Sequence, residues 1–296
     1  MLDEARPYLS FGQYMQQLVG EHVHKLSLNA AFTCPNRDGS KGIGGCTFCN
    51  IASFSPNAKS LDSIEIQIRQ GQAVIARRTG AKKFLAYFQA YTNTYDEVSN
   101  LQRLYDRALS MPGVIGLSVG TRPDCVPEPV LDLLADYQRK GYLVWLELGL
   151  QSAFDASLAR VNRGHGWAEY QDACLRARQR QLKVCTHLIV GLPGEQPADS
   201  LISLDKVLQL GTDGVKFHPL HVVKGTQLAR DWKKGEYQAV AFEEYVDTVV
   251  QMLKRLPEGI VVHRLTGTAS DSMLLAPAWC AKKWTVLNAI HARLRV

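Results

Sequence analysis

The stretch CPNRDGSKGIGGCTFCN, residues 34–50, gathers three of the chain's seven cysteines into a short run, with eleven residues between Cys34 and Cys46 and two between Cys46 and Cys49. Gly39, Gly42, Gly44, Gly45 and Pro35 mark it as a loop, and it carries too few apolar residues to pack as core. Thiolates are soft, strong metal ligands, and two cysteines so spaced can face one centre while the third closes in from across the loop. The number three is informative. A closed structural zinc site takes four protein ligands, whereas an iron–sulfur cluster held by three leaves one iron open to an exchangeable ligand. The zinc reading therefore needs His22 or His24 as a fourth ligand.

Outward from this loop the chain alternates strand and helix. Residues 1–21 read as a polar lead-in, and 23–28 alternate as a first strand should. Beyond the loop come a helix over 61–79, a strand over 83–89 and a helix through Leu101, Leu104, Tyr105 and Ala108, with Thr94 and Glu97 as its capping box. A strand at 114–119 and a helix at 127–140 follow, and Gly141 stops that helix. The strand 143–150 (LVWLELGL) leads to a helix carrying Tyr170, Ala173, Leu175 and Ala177. The strand 184–190, a helix around Leu201, Leu204 and Leu208, and a strand at 214–219 complete the series.

Six such units, each about 30 residues long, predict a parallel sheet covered by helices. They are too few for a closed eight-fold barrel. The expected fold is α/β, a partial (β/α)6 TIM-like barrel over 22–225, with a small helical extension over 226–296 that holds two helical patterns, a short strand at 260–263 and a last helix after Trp279. In parallel barrels reactive groups collect where strands end. Here the cysteine loop, Gln89 to Tyr95, TRPD (121–124), GLQS (149–152), GLPGE (191–195) and HPLHVVKGT (218–226) all follow strands. Lys216 and His218, at the end of the sixth strand, point to a polar task beside a substrate, and His218 is a candidate general acid or base.

The chain has 296 residues, 46% of them hydrophobic and 21% charged, which suits one barrel-sized globular domain. No apolar run approaches the roughly 18 residues that cross a bilayer, and MLDEARPYLS lacks the pattern of a secretory signal. A cytoplasmic protein without membrane contact is expected. An odd number of cysteines in a long chain argues against a disulfide framework. The net charge of +6 favours a polyanionic partner only weakly.

With these motifs in order, the sequence resembles the radical S-adenosylmethionine (SAM) superfamily, and within it the branch that contains the catalytic subunit of Elongator and the YhcC/YtqA type. The resemblance rests on Cys34, Cys46 and Cys49, TRPD, GLQS, NRGH (162–165), LPG (192–194) and KGT (224–226), which span nearly the whole chain. It implies a radical SAM barrel with a [4Fe-4S] cluster on Cys34, Cys46 and Cys49, and SAM chelating the open iron. One electron from a flavodoxin- or ferredoxin-type donor then cleaves SAM to methionine and a 5′-deoxyadenosyl radical, which abstracts a substrate hydrogen. By the same analogy Thr92, Gln151 and Arg163 contact SAM, Arg163 through its carboxylate, and Gly191 lets the backbone run close to the adenosine. The Elongator branch implies tRNA as substrate, modified at carbon 5 of a wobble uridine. Radical chemistry on a small metabolite or a protein, or a non-catalytic iron–sulfur partner of a metabolic enzyme, are the competing readings. Three departures stand out: the first cysteine gap is eleven residues instead of the common three, Gln89-Ala90-Tyr91-Thr92 stands where many members have a glycine-rich turn after the second strand, and Gly120 stands where relatives often hold a Glu for the SAM amino group.

Several other residues have plain readings. Cys125, Cys174 and Cys185 read as small core hydrophobes, while Cys280 is either core or a group facing the substrate. Arg176, Arg178, Arg180 and Lys183 form either a solvated helix face or a phosphate-binding patch. Tyr91, Tyr95 and Trp279 are packing aromatics or a stacking platform for an unpaired base.

Overall fold

Strand residues of this chain alternate between two destinations, a helix-covered outer face and the inside of a curved sheet, and that alternation builds the fold. In the computed structural model, which describes residues 7–53 and 62–295, six strands match the six expected units. They are β1 (Val23–Leu28), β2 (Lys83–Phe88), β3 (Val114–Thr121), β4 (Leu143–Gln151), β5 (Lys183–Val190) and β6 (Gly214–Pro219). After a short β7 (Val222–Val223), β8 (Val261–Arg264) adds a seventh strand beside β6, so the parallel sheet runs β1-β2-β3-β4-β5-β6-β8. β7 itself pairs antiparallel with β9 (Leu274–Ala276). The first six residues of the expected lead-in, Leu61 at the start of the expected helix, and Val296 lie outside the described residues.

Outward-facing Leu26, Phe88, Leu117, Leu146 and Phe217 are buried under α2 (Ile64–Thr79), α3 (Val98–Leu109), α4 (Glu128–Arg139), α5 (Asp155–Arg160), α6 (Trp167–Gln179) and α7 (Pro197–Gln209). Those helices contribute Ile68, Leu101, Leu134, Leu158, Tyr170 and Leu204 to the same core. At about 25 cal/mol per Å² of apolar surface removed from water, this layer is the main source of stability. The extension contributes α8 (Gln227–Lys233), α9 (Phe242–Lys254) and α10 (Lys283–Leu294), and α9 packs on α7 and α10.

One expectation is filled in and one is corrected. The polar lead-in carries a helix: α1 (Phe11–Val19) starts at a capping box in which the Ser10 hydroxyl accepts from the Gln13 amide and Gln13 reaches back to Ser10. Its Met15 closes the lower end of the barrel against Val23, Leu85, Trp145, Cys185 and Val261, while Leu9 and Ser10 bridge to Val262 and cover the open sheet edge. Conversely, Thr94 does not cap α3, whose N-cap Glu97 makes no side-chain bond. The Thr94 hydroxyl instead meets Thr121 Oγ1 at 2.6 Å and donates to the Cys125 carbonyl, tying the loop after β2 to the loop after β3.

Candidate active site

At the level just above the apolar plug, each strand of the seven-stranded sheet sends one polar side chain inward. Lys25 (β1), Tyr87 (β2), Ser118 (β3), Glu147 (β4), His187 (β5), Lys216 (β6) and His263 (β8) form one network around Glu147. Both lysines pair with the fully buried carboxylate, one on each oxygen, and His187 Nε2 lies 2.7 Å from it. Burial opposes ionisation of Glu147, but the two ammonium groups outweigh it and hold the carboxyl well below its usual range. Burial lowers Lys25 to about 8 and keeps His187 neutral, down at about 4. Glu147, Cys185 and His187 also lie within 4.8 Å of one another, as ligands of one ion would. With both carboxylate oxygens already held by ammonium groups, that trio is a poor cation site.

Above this layer a cavity opens at the C-terminal ends of the strands. Cys34, Cys46 and Cys49 line it together with Tyr91, Thr92, Gln151, Arg163, His218, His221 and Arg264. The cysteine loop is clamped there by the motifs that follow it in sequence. Asn36 Nδ2 donates to the Asn162 carbonyl at 2.6 Å, and Asn162 Nδ2 returns a bond to Gly45 at 2.8 Å. Arg37 donates to the Cys49 carbonyl at 2.6 Å. Lys41 reaches Asp124 at 2.8 Å, and Arg122 joins Asp124 to the Arg163 carbonyl. Burial would raise the Asp124 carboxyl, yet its bonds to Arg122 and Lys41 bring it down to about 2. TRPD and NRGH thus act first as a frame for the thiols.

All seven cysteines are free thiols. Burial and the neighbouring Cys46 push Cys49 up to about 11 against the pull of Arg37 and Arg163, and a bound metal would favour its thiolate further. Among the described residues the trio is not one of the groups whose ligand atoms crowd within 4.8 Å, the spacing a single tetrahedral ion requires. The wall beside it also has unmet bonding capacity: Thr92 Oγ1 and Arg163 Nε are buried with no protein partner. Arg163 lies across the thiols, with Nη1 3.4 Å from Cys46 Sγ and Nη2 donating to the Gly149 carbonyl at 2.5 Å. Gly149 leaves room for this approach: a Cβ there would stand 2.9 Å from the guanidinium and would displace it. Gln151 holds a left-handed φ of 83°, a costly backbone for a side chain that lines a cavity. Orphaned donors, a strained lining residue and three convergent thiols together fit a cluster with an adjoining polar ligand.

The sequence aligns with known families over most of its length. Residues 34–205 match the family model described as the radical SAM superfamily, and 212–296 match the one described as the radical SAM C-terminal domain. The chain belongs to the radical SAM superfamily. It is accordingly an iron–sulfur enzyme that depends on S-adenosylmethionine, with a [4Fe-4S] cluster as cofactor. Protein YhcC of Escherichia coli K12 is 50% identical over 275 residues, covering 93% of this chain and 88% of that protein. The uncharacterized protein YtqA of Bacillus subtilis is 34% identical over 288 residues, covering 97% and 89%. The archaeal Elp3 of Methanocaldococcus infernus shares the fold at a TM-score of 0.63 and 16% identity, covering 92% of this chain and 63% of that one.

Not every expected residue reaches the radical SAM cavity. Lys216 lies below it in the Glu147 network, and Gly191 is absent from its lining. The Gly191 carbonyl instead accepts from the Tyr237 hydroxyl at 2.8 Å. Cys280 is buried away from the cavity, and Trp279 packs on Phe242 and Tyr245. Arg176 and Arg180 spend their charge on Glu128, Asp172 and Asp132, and Lys183 on Asp213, while Arg178 donates to the Leu210 carbonyl, so three of the four charges in the basic run are ion-paired. Sequence reasoning missed Glu147, although a carboxylate within LVWLELGL was a visible signal, and it missed Arg264. No helix among the described residues is long and apolar enough to cross a membrane.

Proposed function

We propose that this radical SAM enzyme holds its cluster on Cys34, Cys46 and Cys49, binds SAM against Thr92, Gln151 and Arg163, and modifies carbon 5 of a wobble uridine in tRNA. The observation that carries the cofactor assignment is convergence on one cavity of three free thiols and the two orphaned donors Thr92 Oγ1 and Arg163 Nε. Bound together, the two groups supply hydrogen-atom abstraction from a substrate, and the protein supplies orientation. The Arg163 fork, pinned by Gly149, faces the carboxylate of SAM, and the Thr92 hydroxyl offers a further polar contact. His218, kept neutral by burial and by nearby Arg264, acts as a proton acceptor rather than a donor near neutral pH. Lys216 serves this site indirectly, by holding Glu147 and Tyr87.

Support for tRNA comes from the Elongator-branch resemblance and from Tyr91. That ring is exposed at the cavity, on a left-handed backbone with φ 62°, and presents an aromatic face on which an unpaired base can stack. The extension over 226–296 covers the substrate side, a flavodoxin- or ferredoxin-type protein delivers the electron, and the enzyme works in the cytoplasm. The test compares modified nucleosides in tRNA from cells with and without this protein. Loss of one C5-substituted uridine is expected; identical nucleoside profiles overturn the tRNA reading.

A further inference from the structure

Among the described residues five charged side chains line the cavity, and four of them have protein partners. Arg37 bonds the Cys49 carbonyl, Arg122 pairs with Asp124, Arg163 bonds Gly149 and Cys46, and Glu147 pairs with two lysines. The fifth, Arg264, is exposed into the cavity and makes no hydrogen bond or ion pair with any described residue. Its position is built. Val215 pairs with Val262 but Lys216 pairs with Arg264, so His263 is the extra residue of a bulge between β6 and β8. The bulge turns both His263 and Arg264 to the inside of the barrel, where regular alternation would send one of them outward. His263 joins the Glu147 network and Arg264 is left to face the cavity.

The surroundings of Arg264 select a ligand. Among the described residues Glu147 is the one carboxylate in the lining, and with both its oxygens occupied they offer this guanidinium no counter-ion. The imidazoles beside it, His218 and His221, are neutral and do not repel an anion as imidazolium would, nor attract one in its place. His221 forms a backbone hydrogen bond with Gly267, and its Nε2 is buried with no protein partner. Gly267 brings the backbone close: a Cβ there would stand 2.8 Å from His218 Nδ1. The wall therefore presents a free guanidinium fork next to an unused imidazole nitrogen, opposite in function to the thiol wall of the same cavity.

We propose that Arg264 is the specificity-determining anchor for an oxyanion of the substrate, a phosphate or a carboxylate, with His221 Nε2 bonding a polar hydrogen beside it. A guanidinium fork matches either oxyanion with two parallel hydrogen bonds, and the partly enclosed site strengthens the pairing relative to water. This rests on the reading that the substrate enters the cavity lined by the three cysteines. It does not require that the substrate be tRNA.

The experiment is calorimetric titration of the reconstituted, SAM-loaded protein with inorganic phosphate and, separately, with acetate, for wild type, Arg264→Met and Arg264→Lys. Wild type binds at least one of the two, and the stronger binder tells phosphate from carboxylate. Arg264→Met weakens that binding at least about tenfold and Arg264→Lys falls between, the size expected for one charge-assisted pair. Because Arg264 has no partner among the described residues to lose, Arg264→Met keeps the wild-type melting temperature and metal content. Binding by Arg264→Met equal to wild type, or binding of neither anion by wild type, overturns the anchor. The tRNA comparison fails separately: unchanged tRNA nucleosides together with Arg264-dependent anion binding remove tRNA and leave the anchor standing. Full restoration of tRNA modification by Arg264→Met in cells lacking the protein removes the anchor and leaves tRNA standing.

Discussion

The two polar levels inside this barrel have similar side chains and opposite conditions. In the middle level, every strand of the main sheet contributes a member, Glu147 is satisfied by Lys25, Lys216, Ser118 and His187, and His263 Nε2 is the single buried atom left without a partner among the described residues. One level up, Thr92, Arg163 and His221 keep buried atoms without protein partners, and Arg264 keeps a whole charge. A buried polar group without a partner costs roughly 1–3 kcal/mol, so a fold retains several together only where something else completes them. The lower level is architecture and the upper level is a binding site.

That contrast breaks most visibly at Glu147. Glu147→Ala leaves two buried ammonium groups unpaired and should destabilise the protein by about 3–5 kcal/mol in denaturant unfolding. A loss below about 1 kcal/mol would mean that the network is not the structural keystone described. The same level predicts acid sensitivity. Free histidine titrates at 6.5, whereas His187 takes up its proton only at about 4, because burial and the neighbouring Lys216 and Lys25 outweigh the attraction of Glu147. His221 on the upper level is likewise lowered to about 4, chiefly by burial. Between these values the unfolded chain binds more protons than the native one. Stability is therefore full above pH 6.5 and falls as the pH drops towards 4, by up to about 3 kcal/mol for each ring. Unfolding curves at pH 7, 5.5 and 4.5 check this, and equal midpoints would contradict it. The smallest effect belongs to the outside: Arg180→Ala removes pairs with half-exposed acids and should cost less than about 1 kcal/mol in denaturant unfolding.

What the sequence disclosed and what it hid divide along the same line. Strand positions were legible to within a residue or two, because one face of each strand packs under helices and the period of two is set locally. The three thiols were legible because their spacing is itself the signal. The Glu147 network was not, because its partners Lys25 and Lys216 lie 122 and 69 residues away and meet only when the sheet curls. Thr94 misled for the same reason, since its hydroxyl turned to Thr121 and Cys125 across the sheet instead of to its own helix. Arg264 was hidden by one extra residue in β8, which no alternation pattern announces. In α1 the signal was present, Ser10 and Gln13 three apart, but the short segment reads as polar until its Met15 face meets the barrel.

The most direct test of the account is the iron and acid-labile sulfide content of anaerobically purified, reconstituted protein, for wild type and for Cys34→Ala, Cys46→Ala and Cys49→Ala combined. About four irons and four sulfides per chain are predicted for wild type, and background amounts of both for the triple variant. Zinc without sulfide in the wild type, or a full cluster in the triple variant, would contradict it.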